Sequence, residues 1–191
     1  MKPMMDMWLR VRRSVQDLFG DIRGLAAIEF AMVVPVMLIL FFGTDEFASG
    51  IAVNRKVTLM ARTLSDLTSQ NIAVTDAQLT NFFNASAGIM MPYSATPVRS
   101  TITELYIDPA TKVARVQWSK GSAPRTAGTT VAIPTALQAG GSYLIYSEVS
   151  YAFVPTVGYV LKNSITLSDF TFTRPRQSTC VMYGTTVCTT T

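Results

Sequence analysis

An α+β fold is predicted, with one long N-terminal helix followed by an antiparallel sheet. Three features predict it. Leu25 to Phe42 is an 18-residue apolar run broken by a single charge, Glu29. The stretch after it lacks proline and repeats apolar residues at helical spacing. Beyond Ser100 the periodicity switches to two, the signature of strands. The chain has 191 residues, 49% hydrophobic and 15% charged, which is one domain's worth of unusually apolar sequence.

Composition narrows the function classes first. No histidine is present, so His-based triads and zinc sites built on imidazole are excluded. Glycine-rich phosphate loops and nucleophile elbows are also missing, and serines and threonines without a base read as hydrogen-bonding surface. An enzyme is not expected, and neither a cofactor nor a small-molecule substrate is implied. The net charge of +4 divides evenly: residues 1–24 hold five basic and three acidic residues, and residues 25–191 hold eleven and nine. No basic domain is left for nucleic acid.

Residues 1–24 read as a short, basic, weakly amphipathic leader carrying Lys2, Arg10, Arg12, Arg13 and Arg23. Residues 25–44 read as a membrane helix. At ~1.5 Å per residue the apolar run covers ~27 Å, close to the ~30 Å hydrocarbon core of a bilayer. Pro35 within it is tolerable in lipid as a kink. Five basic residues precede the segment and three (Arg55, Lys56, Arg62) follow it, so the N-terminus is expected inside and residues 45–191 outside the cytoplasm. Two alternatives stand beside this reading. One is a buried core helix, and the other is a signal peptide cut near Ala48-Ser49-Gly50.

Glu29 asks for a partner, because a carboxylate in an apolar segment costs about 2.5–3.5 kcal/mol at mid-bilayer and less near an end. A cut after Gly24 would give Leu25 a new ammonium one helical turn from Glu29, where opposite charges pair strongly. The bland alternative is a charge that reaches the cytoplasmic interface.

The segment Gly24-Leu25-Ala26-Ala27-Ile28-Glu29-Phe30, behind a basic leader and ahead of an apolar helix, resembles the processing site of class III prepilins and pseudopilins. More closely, the run from Arg23 to Phe47 is similar to the opening of TadE-like proteins of the tight-adherence (Flp pilus) machinery. Gly24, Ala26, Ala27, Glu29, Phe30, Pro35, Gly43 and Glu46 occupy the family's places. The departure is Phe30, where processed pseudopilins of this system often carry tyrosine. The resemblance implies a pilin-like fold and a minor structural component of the Flp pilus and its type II-related secretion system. It further implies an inner-membrane anchor, a prepilin peptidase acting at Gly24–Leu25, an assembly role for Glu29 with Phe30, an acidic helix exit at Glu46, and other pilin-like and Tad secretion components as partners. An uncleaved single-pass envelope protein whose ectodomain binds a secretion complex is the alternative.

Past the membrane, Phe47, Ile51, Val57, Met60, Ala61, Leu64 and Leu67 continue the apolar stripe, so the helix is expected from about Leu25 to about Ser69. Arg55, Lys56 and Arg62 are expected on its solvated side or against headgroups. Thr75-Asp76-Ala77-Gln78 is a capping box for a second helix with Leu79, Phe82 and Phe83 inward and Gly88 as the stop. Ser100–Ile107 and Lys112–Lys120 read as strands around an Asp108-Pro109-Ala110-Thr111 turn. Ser119–Thr130 reads as a mobile small-polar loop. Ser142–Val154 is the clearest strand, with Tyr143, Ile145, Ser147, Val149, Tyr151 and Phe153 on one face; Ile165–Thr173 follows, and Arg174-Pro175-Arg176 begins a basic tail. Outside the cytoplasm, Cys180 and Cys188 are expected to form a small disulfide loop, two free thiols being the alternative.

Overall fold

The computed structural model describes residues 23–155 and 163–188. The leader expected over 1–24 therefore lies, apart from its last two residues, outside the described residues. The chain forms two compact units, Met1–Asp45 and Glu46–Thr191. Helix α1, Arg23–Ser69, contributes to both.

In the first unit α1 is apolar on all sides. Pro35 is incorporated without ending the helix, although it has no N–H for the carbonyl one turn back. Thr44 Oγ1 donates to the Leu40 carbonyl at 2.7 Å, so its hydroxyl is satisfied inside the helix.

In the second unit a five-stranded antiparallel sheet runs in the order β4-β3-β2-β5-β6. Its strands are β2 (Val98–Ile107), β3 (Ala114–Gly121), β4 (Thr130–Val131), β5 (Tyr143–Phe153) and β6 (Ile165–Thr173). Two further strands, β1 (Ala73–Val74) and β7 (Met182–Tyr183), pair in parallel as a separate ribbon. The four expected strands are present. The three additional ones are two residues long, too short to display any period in the sequence.

The amphipathic half of α1 buries Val53, Val57, Met60, Ala61 and Leu64 against Ile102, Trp118, Ile145, Val149, Tyr151 and Phe153. Ser147, the polar member of the apolar face of β5, donates to the Ala61 carbonyl at 2.6 Å. Beside it Ser65 Oγ reaches Thr173 Oγ1 at 2.8 Å, and Thr58 Oγ1 donates to Asp169 Oδ2 at 2.5 Å. These hydroxyls are not surface, as composition suggested. They tie the helix to β5 and β6 inside the interface, where an unmade hydrogen bond would be costly.

The opposite sheet face has a second core of Leu105, Ile107, Ala114, Val116, Leu144 and Tyr146, covered by Val131, Ile133, Leu137 and Phe172. The expected mobile loop is correspondingly shorter. Ser119–Gly121 belongs to β3 and Thr130 to β4. The residues between are anchored by Gly128 N–H to the Val116 carbonyl at 2.7 Å and by an Arg125–Glu148 ion pair at 2.6 Å.

Helix α2, Asp76–Ala87, starts as its capping box requires: Thr75 Oγ1 accepts from Gln78 N, and Thr75 N donates to Gln78 Oε1. Its cap residue is extended, the usual N-cap geometry. Thr75→Ala should lower stability by about 1 kcal/mol, seen as a small drop in the thermal midpoint with an unchanged fold by circular dichroism. Lys56 departs from expectation. Its half-buried ammonium donates to the Ile89 and Met91 carbonyls at 2.9 and 2.7 Å and ties α1 to the turn that follows α2.

Candidate functional site

Gly24 and Leu25 lie in the first turn of α1 as described. A Cβ added at Gly24 would meet nothing within 4 Å. Leu25, Ile28 and Phe30 are exposed, Phe30 at 71%. Glu29 sits on this bare surface and forms no ion pair among the described residues. Its helical neighbours one turn away on either side are Leu25 and Val33, both apolar.

None of the most apolar 18-residue stretch of α1 is buried among the described residues. A core helix would be covered by its own protein, and the described residues do not cover this one. A signal-peptide cut near Ala48 would fall in mid-helix, where a Cβ on Gly50 would sit 3.7 Å from the Phe153 ring. Among the described residues α1 is the one helix long and apolar enough to cross a membrane, the architecture of a single-pass anchor.

Glu46, the expected acidic helix exit, is only 2% exposed and is not free of partners. It borders a groove lined by Phe47, Gly50, Asn54, Phe153 and Leu167, all from the second unit. Asp45 beside it is exposed.

Cys180 and Cys188 form the expected disulfide, with Cα atoms 6.3 Å apart. The segment it closes is not a frayed tail. Met182 N–H donates to the Ile72 carbonyl and Gly184 N–H to the Val74 carbonyl, at 3.0 and 2.9 Å, which builds the β1–β7 ribbon. Tyr183 Oη donates to Asp76 Oδ1 at 2.6 Å, and Lys120 Nζ lies 3.6 Å from the same carboxylate. The Tyr183 hydroxyl first, and the Lys120 charge second, hold the Asp76 carboxyl below its usual range. Upstream, Arg176 pairs with Asp66 at 2.6 Å and its N–H donates to the Ser69 carbonyl, so the basic tail is fastened to the end of α1.

Glu104 was not singled out from the sequence, yet it lies at the centre of this C-terminal clasp. It is 1% exposed. Its Oε1 accepts from Val181 N–H at 2.5 Å, while Trp118 Nε1 donates to the Val181 carbonyl at 2.7 Å. Both backbone groups of Val181 are thus held by β2 and β3 side chains, immediately beside Cys180. Burial pushes the Glu104 carboxyl up to about 7, against the Val181 N–H and the Trp118 indole, which favour its ionised form. Tyr143, close by, has its phenol raised by burial and then by the Glu104 charge. A signal was available in the strand parity, since Glu104 falls between Ile102 and Tyr106 on the face that packs inward.

The family model described as TadE-like protein matches residues 24–64. No curated protein and no solved structure matches the chain. The matched stretch contains Gly24, Glu29, Phe30, Pro35 and Glu46 and ends within α1, ahead of the whole sheet. Over Gly24 to Leu64 the chain is thus similar to the TadE-like family.

Proposed function

We propose that the protein is a structural, non-enzymatic, pilin-like component of Tad pilus assembly. It is held in the bacterial inner membrane by residues 25–44, with a cytoplasmic leader over 1–24 and an extracytoplasmic domain over 45–191. A prepilin peptidase removes the leader after Gly24, and the mature subunit assembles with other pilin-like components. The observation that carries this reading is Glu29, a carboxylate on a bare apolar helix one turn from the Gly24–Leu25 bond. Cutting that bond would create an ammonium at Leu25, and Glu29 is then placed to pair with that group of its own or a neighbouring subunit.

Two further features support the orientation. The basic residues cluster before the apolar run. The Cys180–Cys188 disulfide suits an oxidising compartment, which supports a sheet domain outside the cytoplasm. Glu46, buried inside that domain, would serve at the helix exit by fixing α1 to its own chain before any contact with a neighbour.

N-terminal sequencing of the protein from cells that hold its pilus system tests the cut. A new terminus at Leu25, lost in Gly24→Val, is expected. An intact Met1 form in a working pilus system would favour the uncleaved envelope protein. Glu29→Ala should leave insertion and cleavage intact and reduce incorporation into the sheared pilus fraction by roughly 10-fold or more, since a charge-assisted contact is worth about 1.5–3 kcal/mol. Wild-type incorporation of that variant would refute the ammonium pairing.

A further inference from the structure

The two edges of the five-stranded sheet differ. One ends in β4, two residues long. The other ends in β6, nine residues in unbroken register with β5 from Phe153↔Ile165 to Ile145↔Thr173. Long edge strands are normally blunted by lysine, proline or a bulge, because their unpaired N–H and C=O groups template further pairing. Strand β6 reads ITLSDFTFT, with no lysine, arginine or proline. Among the described residues its outer side makes no backbone–backbone hydrogen bond. Thr166 and Ser168 are exposed, and Phe170 is 56% exposed.

We propose that β6 is a strand-addition edge, completed by an extended segment of another polypeptide. Main-chain hydrogen bonds would supply the affinity and alternate side chains the specificity. On the face away from α1 the incoming side chains would lie beside Phe170 and a groove of about 390 Å³ lined by Arg99, Arg125, Glu148, Ser150 and Ser168. A second copy of β6 is the wrong occupant. Pairing all nine residues with themselves, parallel or antiparallel in register, sets Asp169 against Asp169, and like charges directly opposite destabilise a ladder. Asp169 is itself fixed in place, with Oδ2 accepting from Thr58 and Oδ1 from Phe170 N–H. The complementary strand is therefore one with a basic residue in register with Asp169 and an apolar one beside Phe170. That strand belongs to the pilus assembly proposed above, and the identity of the partner rests on that reading.

Amide hydrogen exchange on the full chain tests it, once purified in detergent and once within isolated pilus-bearing membranes. Alternate amides of residues 165–173 point away from β5. Those not already bonded, as Phe170 N–H is to Asp169 Oδ1, should exchange freely in detergent and slow by ~100-fold or more in the assembly. Their remaining fast while the protein is present in the assembly overturns strand addition alone. Absence of the protein from that fraction overturns the pilus reading with it. Protection that grows with protein concentration in detergent would assign the edge to a second copy and overturn the foreign strand. Thr166→Lys combined with Ser168→Lys, at two exposed positions, should keep the melting temperature and lose the protection; wild-type protection in that variant would also sink the proposal.

Discussion

Replacing Glu104 by Gln is expected to stabilise the protein at pH 8 by about 3 kcal/mol and to leave it unchanged at pH 4. Below the usual glutamate range the carboxyl is protonated in both folded and unfolded chains and contributes nothing to pH dependence. As pH rises, the unfolded chain releases its proton first, because the folded carboxyl is raised from 4.5 to about 7. The unfolded state is favoured by ~1.4 kcal/mol for each pH unit in that window, and the loss is complete above the folded value. Glutamine has the shape and hydrogen-bonding pattern of the protonated acid: its oxygen can accept from Val181 N–H and its amide is neutral at every pH. The measurement is the difference in denaturation free energy between variant and wild type from pH 4 to pH 9, since the other carboxylates cancel in it. A flat difference would mean that the Glu104 carboxyl titrates alike in the folded and unfolded chains, so that its burial costs nothing that depends on pH. The groups that face it are Trp118, Tyr143 and the Val181 backbone, none of which titrates between those limits.

The legible and illegible parts of this chain differ in range. The apolar run to Phe42, the Thr75–Gln78 capping box and the alternation in β5 are local patterns repeated over several residues, and each produced the element it predicts. Lys56 was misread because its partners are carbonyls at 89 and 91, more than thirty residues away and without any side-chain signal. Glu104 was missed for the same reason. Its burial is decided by residue 181, which the chain brings back only after completing the sheet. Parity alone would have put it on the inner face, but a lone carboxylate there reads as an exception until its donors are known. The candidate site residues of the apolar segment are the opposite case. Gly24 and Glu29 were conspicuous in sequence because a charge in an apolar run has no local justification, and the bare helix around them leaves that question to other molecules.

Removing the disulfide by Cys180→Ala with Cys188→Ala should lower stability by about 2–3 kcal/mol at pH 5, the value the chain-entropy model assigns to so short a loop. The size of this loss should depend on Glu104. Cys180 is buried and directly precedes Val181, whose N–H is the hydrogen-bond partner of the carboxylate. Without the covalent loop the segment opens more readily, water reaches Glu104, and its carboxyl returns toward the ordinary range. The pH-linked penalty carried by wild-type Glu104 at pH 8 then shrinks, so the disulfide variant should lose less at pH 8 than at pH 5. In a Glu104→Gln background that pH dependence should vanish. A double-mutant cycle at pH 8 reads this as a coupling above about 0.5 kcal/mol. Additivity within ~0.3 kcal/mol would show instead that the disulfide and the buried carboxyl fasten the C-terminal segment independently, and Trp118, donating to the Val181 carbonyl at 2.7 Å, would then be the group that keeps the clasp closed without the bridge.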